Sequence, residues 1–285
     1  MSYSTILYDV EDGICTLTLN RPEAMNAFNR EMLAEMLDAC DRIDADDDIK
    51  VVIVTGSGRA FCAGADLSSG GDTFDADARD DRASGLQPDG GGLLTLRLYD
   101  VNKPIIAAIN GAAVGVGVTM TLPMDIRLAA DVAKFGFVFA RRGIVPEACS
   151  SYFLPRVVGI SQALEWCYSG RVFPADEALQ GGLVRSLHAK DELLAVARSI
   201  AADIRDNTAP VSVTLIRHMM WKMLNADHPM EAHKIDSRGI YHRGRSADSK
   251  EGVESFLEKR PAEFTMQVSK DMPEYFPWWD EQTFS

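Results

Sequence analysis

Two glycine-punctuated joints carry the residue spacing best suited to chemistry: Phe61-Cys62-Ala63-Gly64-Ala65-Asp66, and Asn110-Gly111-Ala112-Ala113-Val114-Gly115-Val116-Gly117. Each follows an apolar run with the character of a buried strand, residues 51–54 and 105–109, and each leads toward a helix. Such a joint leaves backbone N–H groups unpaired and directed outward at a helix N-terminus. One joint alone is an ordinary turn or anion site. Two in one domain can aim two donors at a single oxygen, the arrangement of an oxyanion hole, which stabilises charge developing on a carbonyl. The competing reading is a pair of structural turns.

The elements that must hold these joints follow from periodicity. Residues 14–19 alternate Cys15, Leu17 and Leu19 with Thr16 and Thr18, a period-two strand. Asn29 can cap a helix whose apolar residues Met32, Leu33, Met36, Leu37, Cys40 and Ile43 keep helical spacing. Residues 68–92 are so rich in Gly and Asp that a mobile loop is expected there, with a short helix over 93–101. Strands over 126–129 and 134–138 and helices over 161–169 and 175–180 continue an alternation that implies a largely parallel sheet. Beyond residue 190 the pattern is helical, over 191–205, 211–225, 229–243 and 250–260. The expected organisation is an α/β core over 1–208, a helical region over 209–260 and an aromatic-rich tail over 261–285, with no visible internal repeat.

Composition removes several function classes. A net charge of −13 argues against a nucleic-acid partner, and much of the acid is local, in residues 44–48 and 72–81. The stretch 104–124 is uncharged and long enough to cross a membrane, but its three Gly, Asn110 and two terminal Pro fit a buried strand, turn and helix instead. Five cysteines without C-x-x-C spacing, and no export signal, read as reduced thiols in a cytoplasmic protein. Zinc patterns, G-x-x-x-x-G-K-[ST] and G-x-S-x-G are missing, and Met120 stands where a dinucleotide fingerprint would have its third glycine. No metal and no separate cofactor is expected.

Several ordered motifs identify the chain as similar to the crotonase (enoyl-CoA hydratase/isomerase) superfamily over residues 17–260. They are Leu19-Asn20-Arg21-Pro22-Glu23 with Asn26-Ala27-Phe28, Val54-Thr55-Gly56 through Asp66-Leu67, and Lys103-Pro104-Ile105 through Asn110-Gly111. Ala175-Asp176-Glu177-Ala178 with Gly182-Leu183-Val184, and Ser255-Phe256-Leu257-Glu258-Lys259-Arg260, complete the set. The resemblance implies an α/β fold of repeated ββα turns spiralling around a core, with C-terminal helices that mediate trimerisation. It implies an acyl-CoA thioester substrate, CoA being part of that substrate, and a homotrimer or hexamer. It maps the two oxyanion donors onto the N–H groups of Ala65 and Val116. Expected substrate-binding residues are Ala63, Gly64, Asp66, Gly115 and Phe139, with Phe256 and Lys259 approaching the CoA of a neighbouring subunit. For Asp66, capping of the next helix competes with any role in chemistry. For Phe256 and Lys259, a solvated helix end competes equally.

The acid/base set departs from the hydratase pattern. Positions that match the two hydratase glutamates hold Thr119 and Phe139, neither of which can shuttle a proton usefully. One acid remains, Glu147, in Pro146-Glu147-Ala148-Cys149-Ser150-Ser151, a segment that resembles the peroxisomal-type Δ3,Δ2-enoyl-CoA isomerases, whose base sits there. The apolar residues Phe139, Ile144 and Val145 nearby are expected to desolvate it and raise its pKa. Ser150 and Ser151 are candidates to hydrogen-bond it, and Arg141 and Arg142 to pair with local acids. A dienoyl isomerase lacks its extra acids here, and a dehalogenase lacks its histidine, since all five histidines lie at or beyond His188. The favoured reading is isomerisation of 3-enoyl-CoA to 2-enoyl-CoA. Its alternatives are hydration of 2-enoyl-CoA by an atypical acid/base set and a non-catalytic acyl-CoA-binding paralogue. The tail segment Tyr275-Phe276-Pro277-Trp278-Trp279 is expected to dock, either on the core or on a neighbouring subunit.

Overall fold

A computed structural model describes residues 3–75 and 87–284. The chain opens with a hairpin of β1 (Ile6–Glu11) and β2 (Ile14–Leu19), antiparallel because Asp12-Gly13 turns with both residues at positive φ. Helix α1 (Arg30–Ala45) follows, its first turn capped by Asn29, which accepts from the Met32 N–H at 2.9 Å.

A unit of two strands and a helix then repeats with little sequence likeness between its copies. The first copy is β3 (Val51–Gly56), β4 (Ala60–Cys62) and α2 (Gly90–Asp100). The second is β5 (Ile105–Ile109), β6 (Ala112–Val114) and α3 (Val116–Thr119). The third is β7 (Ile126–Ala130) and β8 (Lys134–Gly136), followed by α4 (Ser150–Val158) and α5 (Ile160–Ser169). Next come β9 (Val172–Pro174), α6 (Ala175–Gln180) and β10 (Ser186–His188). Each unit puts its first strand into a six-stranded sheet ordered β1-β2-β3-β5-β7-β10 and its second into a four-stranded sheet ordered β4-β6-β8-β9. Every pairing is parallel except β1–β2 and β8–β9. Each turn of the chain therefore advances one strand along both sheets, which is the expected spiral.

The six-stranded sheet is covered on both faces, so its central strands read as unbroken apolar runs. One face buries Ile14, Val51, Ile53, Ile106 and Ala108 against Leu193, Ala197 and Ala201 of α7 (Leu193–Asn207). The other buries Cys15, Leu17, Val52, Val54 and Ala107 with Met32 and Met36 of α1 and the aromatic residues Phe135, Phe137, Trp166 and Phe173. The tempting 104–124 stretch is thus a strand, a strand and a short helix; among the described residues no helix is long and apolar enough to cross a membrane.

Helix α8 (Pro210–Met223) is fixed to the core by Arg217, whose guanidinium donates to Tyr99, Val101 and Leu98 carbonyls at 2.7–2.9 Å and pairs with Asp125 at 2.9 Å. Helices α9 (Pro229–Arg243) and α10 (Ala247–Glu258) extend outward with Ile240, Val253 and Leu257 exposed, and α11 (Val268–Asp271) leads into the tail. Within this chain the aromatic tail lies on the C-terminal helices. His218 of α8 lies 5.2 Å from the Phe276 ring and 5.0 Å from Trp279, and His242 of α9 lies 5.2 Å from Tyr275.

Three local expectations are corrected. The strand expected to 138 stops at Gly136, because the next segment turns toward a short 3-10 helix at Ala140–Arg142. Helix α2 starts at Gly90 rather than 93, since Asp89 caps it and supplies what the glycines lack. The loop expectation over 68–92 falls partly on residues 76–86, outside the described residues; of the rest, Gly70–Phe74 form a 3-10 helix and Gly91 and Gly92 are buried in α2.

The units stack closely because Gly117 faces β4: a Cβ there would overlap the Cys62 carbonyl oxygen and sit 2.8 Å from its carbon. Gly117→Ala is expected to lower unfolding free energy by about 1–3 kcal/mol, the range for overpacking a tight interior, read as a lower urea midpoint at unchanged m-value.

Candidate active site

The two joints abut. Gly64, at φ +109°, leaves room for the Val114 carbonyl oxygen, which would sit 3.1 Å from a Cβ, while Gly115 packs on the Gly64 Cα. Ala65 forms a parallel bridge with Phe28, in which the Phe28 N–H donates to the Gly64 carbonyl at 2.8 Å and the Asp66 N–H to the Phe28 carbonyl at 2.9 Å. A parallel bridge of this kind turns Ala65's own N–H away from Phe28. Val116 is the first residue of α3, so its N–H belongs to the helix-end donors that have no intrahelical acceptor. The Gly115 N–H is spent on the Gly136 carbonyl at 2.9 Å. Ala63 likewise donates its N–H, to the Met25 carbonyl at 3.1 Å, so these two N–H groups are taken up by the fold.

Glu147 lies in the segment that leads into α4, followed by Ala148 and Cys149, both left-handed at φ 54° and 53°. Consecutive non-glycine residues there store backbone strain and need outside support. Ser150 supplies part of it, donating to the Glu147 carbonyl from its N–H at 2.9 Å and from its hydroxyl at 2.6 Å. Asp89 supplies another part, accepting from the Ala148 N–H at 3.2 Å. Ser150 therefore holds the backbone of Glu147 and not its carboxylate.

The carboxylate itself is half-buried and placed at both oxygens. The fully buried Thr119, at the end of α3, donates its hydroxyl to Oε1 at 2.7 Å. Oε2 occupies the space a Cβ on Gly91 would need, and the Ala148 methyl lies 2.9 Å from the same point. Burial pushes the carboxyl up to about 7, against the Thr119 hydrogen bond, which lowers it, and with the Asp89 charge, which raises it further.

The source of that burial differs from expectation. Val145 is 76% exposed, and Phe139 turns into the core against Phe137, so the seat is built from α2, α3 and Ala148 instead. Asp66 does not cap a helix: it pairs with Arg21 at 2.9 Å and accepts from the Ser68 N–H at 3.1 Å, which hold its carboxyl low. Arg141 donates to the Ser169 carbonyl at 2.8 Å rather than pairing with an acid. Cys62 is a buried thiol pushed up to about 12, and burial also raises Cys149, so neither is a thiolate. Phe256, 80% exposed on α10, and Lys259, the left-handed residue ending that helix, lie on this protomer's surface and are not brought to Glu147 by any hydrogen bond or ring contact among the described residues.

Sequence reasoning missed three participants. Thr119 was read only as a lost glutamate, yet it is the carboxylate's hydrogen-bond donor. Asp89 and Gly91 were absorbed into a presumed loop, although Asp89 ahead of the periodic Leu94, Thr95 and Leu98 is an N-cap signal.

The sequence profile of the enoyl-CoA hydratase/isomerase family matches residues 9–267. The chain belongs to the enoyl-CoA hydratase/isomerase family. An enoyl-CoA hydratase of Alternaria alternata is 42% identical over 258 residues, covering 89% of this chain and 83% of the relative. The 1,2-epoxyphenylacetyl-CoA isomerase of Escherichia coli (strain K12) is 36% identical over 270 residues, covering 91% and 98%. Among solved structures, a probable enoyl-CoA hydratase/isomerase from Mycobacterium abscessus superposes with TM-score 0.84 at 28% identity over 92% of this chain and 99% of that one. An enoyl-CoA hydratase subunit from Geobacillus kaustophilus does so with TM-score 0.82 at 31% identity over 93% and 99%. This member of the crotonase superfamily is an enzyme.

Two substitutions probe the seat of Glu147. Thr119→Val removes a donor that favours the ionised carboxylate, so the acid limb of the kcat/KM–pH profile should move to higher pH. Gly91→Ala forces the carboxylate out of its notch. It is expected to lower kcat about 10²-fold, the scale for misplacing a reacting group by an ångström, in a protein that still unfolds cooperatively.

Proposed function

We propose that this family member isomerises a 3-enoyl-CoA to the 2-enoyl-CoA, with Glu147 as the single proton carrier. The observation that carries this reading is the pairing of one carboxylate, its pKa raised by burial to about 7, with the hydroxyl of Thr119, which with Phe139 stands where the hydratase pattern has its two glutamates. Isomerisation needs one base that takes a proton and returns it. Hydration needs, in addition, a group to position and activate water.

In the proposed reaction the thioester oxygen accepts from the N–H groups of Ala65 and Val116. Glu147 removes a proton from C2, the double bond moves from C3–C4 to C2–C3 through an enolate, and the protonated Glu147 delivers the same proton to C4. Charge leaves the carboxylate and arrives on the thioester oxygen, where two fixed donors offset it; loss of one such donor costs about 10²–10³ in rate. A carboxyl near pH 7 suits both halves, being ionised often enough to take a proton and acidic enough to give it back.

Assembly enters the proposal as well. Ile240, Val253, Phe256 and Leu257 leave an apolar face on α9 and α10, consistent with a homotrimer or hexamer in which Phe256 and Lys259 reach a neighbour's CoA. Hydration remains the second reading, because several relatives carry the hydratase name.

Purified protein incubated with a 3-enoyl-CoA should yield a 2-enoyl-CoA of unchanged mass, with Glu147→Gln at least about 10³-fold slower and still able to bind CoA thioesters. As Glu147 acts ionised, kcat/KM should rise with pH up to about 7 and level off above it. Water gained by a 2-enoyl-CoA, with no isomerisation, would favour the hydratase. Binding without turnover of either would favour the non-catalytic paralogue.

A further inference from the structure

A second carboxylate borders the notch that holds Glu147. We propose that Asp89 is a positioning residue: by joining the first turn of α2 to the strained segment behind Glu147, it fixes the base over Gly91. This rests on the reading of Glu147 as the proton carrier.

One oxygen makes the join. Asp89 Oδ1 accepts from the Gly92 N–H at 2.6 Å and from the Ala148 N–H at 3.2 Å, so a single atom ties α2 to the residue after Glu147. Without it, the pair Ala148–Cys149 keeps the Ser150 bonds to Glu147 and the Tyr152 and Phe153 N–H bonds to the Cys149 carbonyl, all local to the turn and α4, and reaches α2 through the Cys149 thiol and Thr95, with no backbone bond to it among the described residues. The asparagine-and-serine caps elsewhere in this chain, Asn29 and Ser246, serve their own helices. Asp89 serves two elements.

The glycines after it complete the device. Gly90, Gly91 and Gly92 give α2 a first turn without side chains, and Glu147 Oε2 descends into the space over Gly91, with Asp89 Oδ1 3.2 Å from the same empty Cβ position. Three adjacent glycines weaken a helix start, and a strong N-cap offsets that. Cap and notch therefore belong together: the residue that makes the glycine-rich turn tenable also positions the carboxylate seated on it.

Among the described residues Asp89 is also the charged group whose field acts on Glu147. From α3 comes the Thr119 hydroxyl, from β4 the Cys62 thiol and from the start of α4 the Cys149 thiol, both thiols kept neutral by burial. Arg21, whose charge acts on Cys62, is paired with Asp66. Asp89 thus raises the proton affinity of the base it places.

Two variants separate placement from plain helix capping. Asp89→Ser keeps an N-cap oxygen but loses the reach to Ala148; Asp89→Asn keeps an oxygen for both N–H groups and loses the charge. For Asp89→Ser we expect kcat to fall about tenfold or more with KM and melting temperature little changed. Asp89→Asn should retain most of kcat, with the acid limb of kcat/KM at lower pH. Wild-type kcat and an unmoved pH profile in Asp89→Ser would overturn the proposal, leaving Asp89 a cap only. The same variants are read by exchange of the C2 protons of a saturated acyl-CoA in D2O, which needs the base but no isomerisation. Exchange by the wild type without isomerisation would sink the isomerase reading and leave Asp89 to be judged on exchange alone; neither reaction in the wild type would overturn both.

Discussion

The site depends on backbones approaching closer than side chains permit. Gly117 lets α3 sit on the Cys62 carbonyl, and Gly64 lets the first joint meet the Val114 carbonyl. The two joints come from successive turns of one spiral and meet only because those turns stack at this short distance. The same stacking carries Thr119, three residues beyond Val116 on α3, to the Glu147 carboxylate. A third close approach, over Gly91, admits the carboxylate itself. Any Cβ at these places displaces α3, the first joint or the Glu147 carboxylate.

Electrostatics then decides what the stacked geometry can do. A half-buried carboxylate with no cation paired to it among the described residues resists ionisation, and one hydroxyl bond recovers part of that cost. The balance leaves the group near neutrality, where a proton can be taken and returned. Replacing the hydroxyl by a second carboxylate would add a like charge and a second proton carrier, which is a different chemistry on the same scaffold.

Much of this was legible in the sequence. Both joints stand out because buried parallel strands read as unbroken apolar runs and end in glycine, and Asn29 marks the start of α1 by its capping chemistry. The three-residue strands β4, β6 and β9 were not legible as elements, since so short a run shows no period. Gly90–Gly92 were misread because glycine signals both flexible loops and close packing, and only the facing Glu147 tells which applies here. The partner of Glu147 was hidden for a related reason: a threonine's hydroxyl matters only when a carboxylate arrives from 28 residues away. The aromatic tail announced that it must dock, but whether on its own chain or another depends on His218 and His242 being presented to it.

The central claim is that one carboxylate carries the same proton between two carbons of the substrate. The direct measurement is to supply a 3-enoyl-CoA deuterated at C2 in ordinary water and locate the label in the product by NMR and mass. A single half-buried carrier predicts that part of the deuterium appears at C4. Product whose C4 hydrogen comes wholly from water, with no transferred label at any conversion, would contradict it and call for a separate acid.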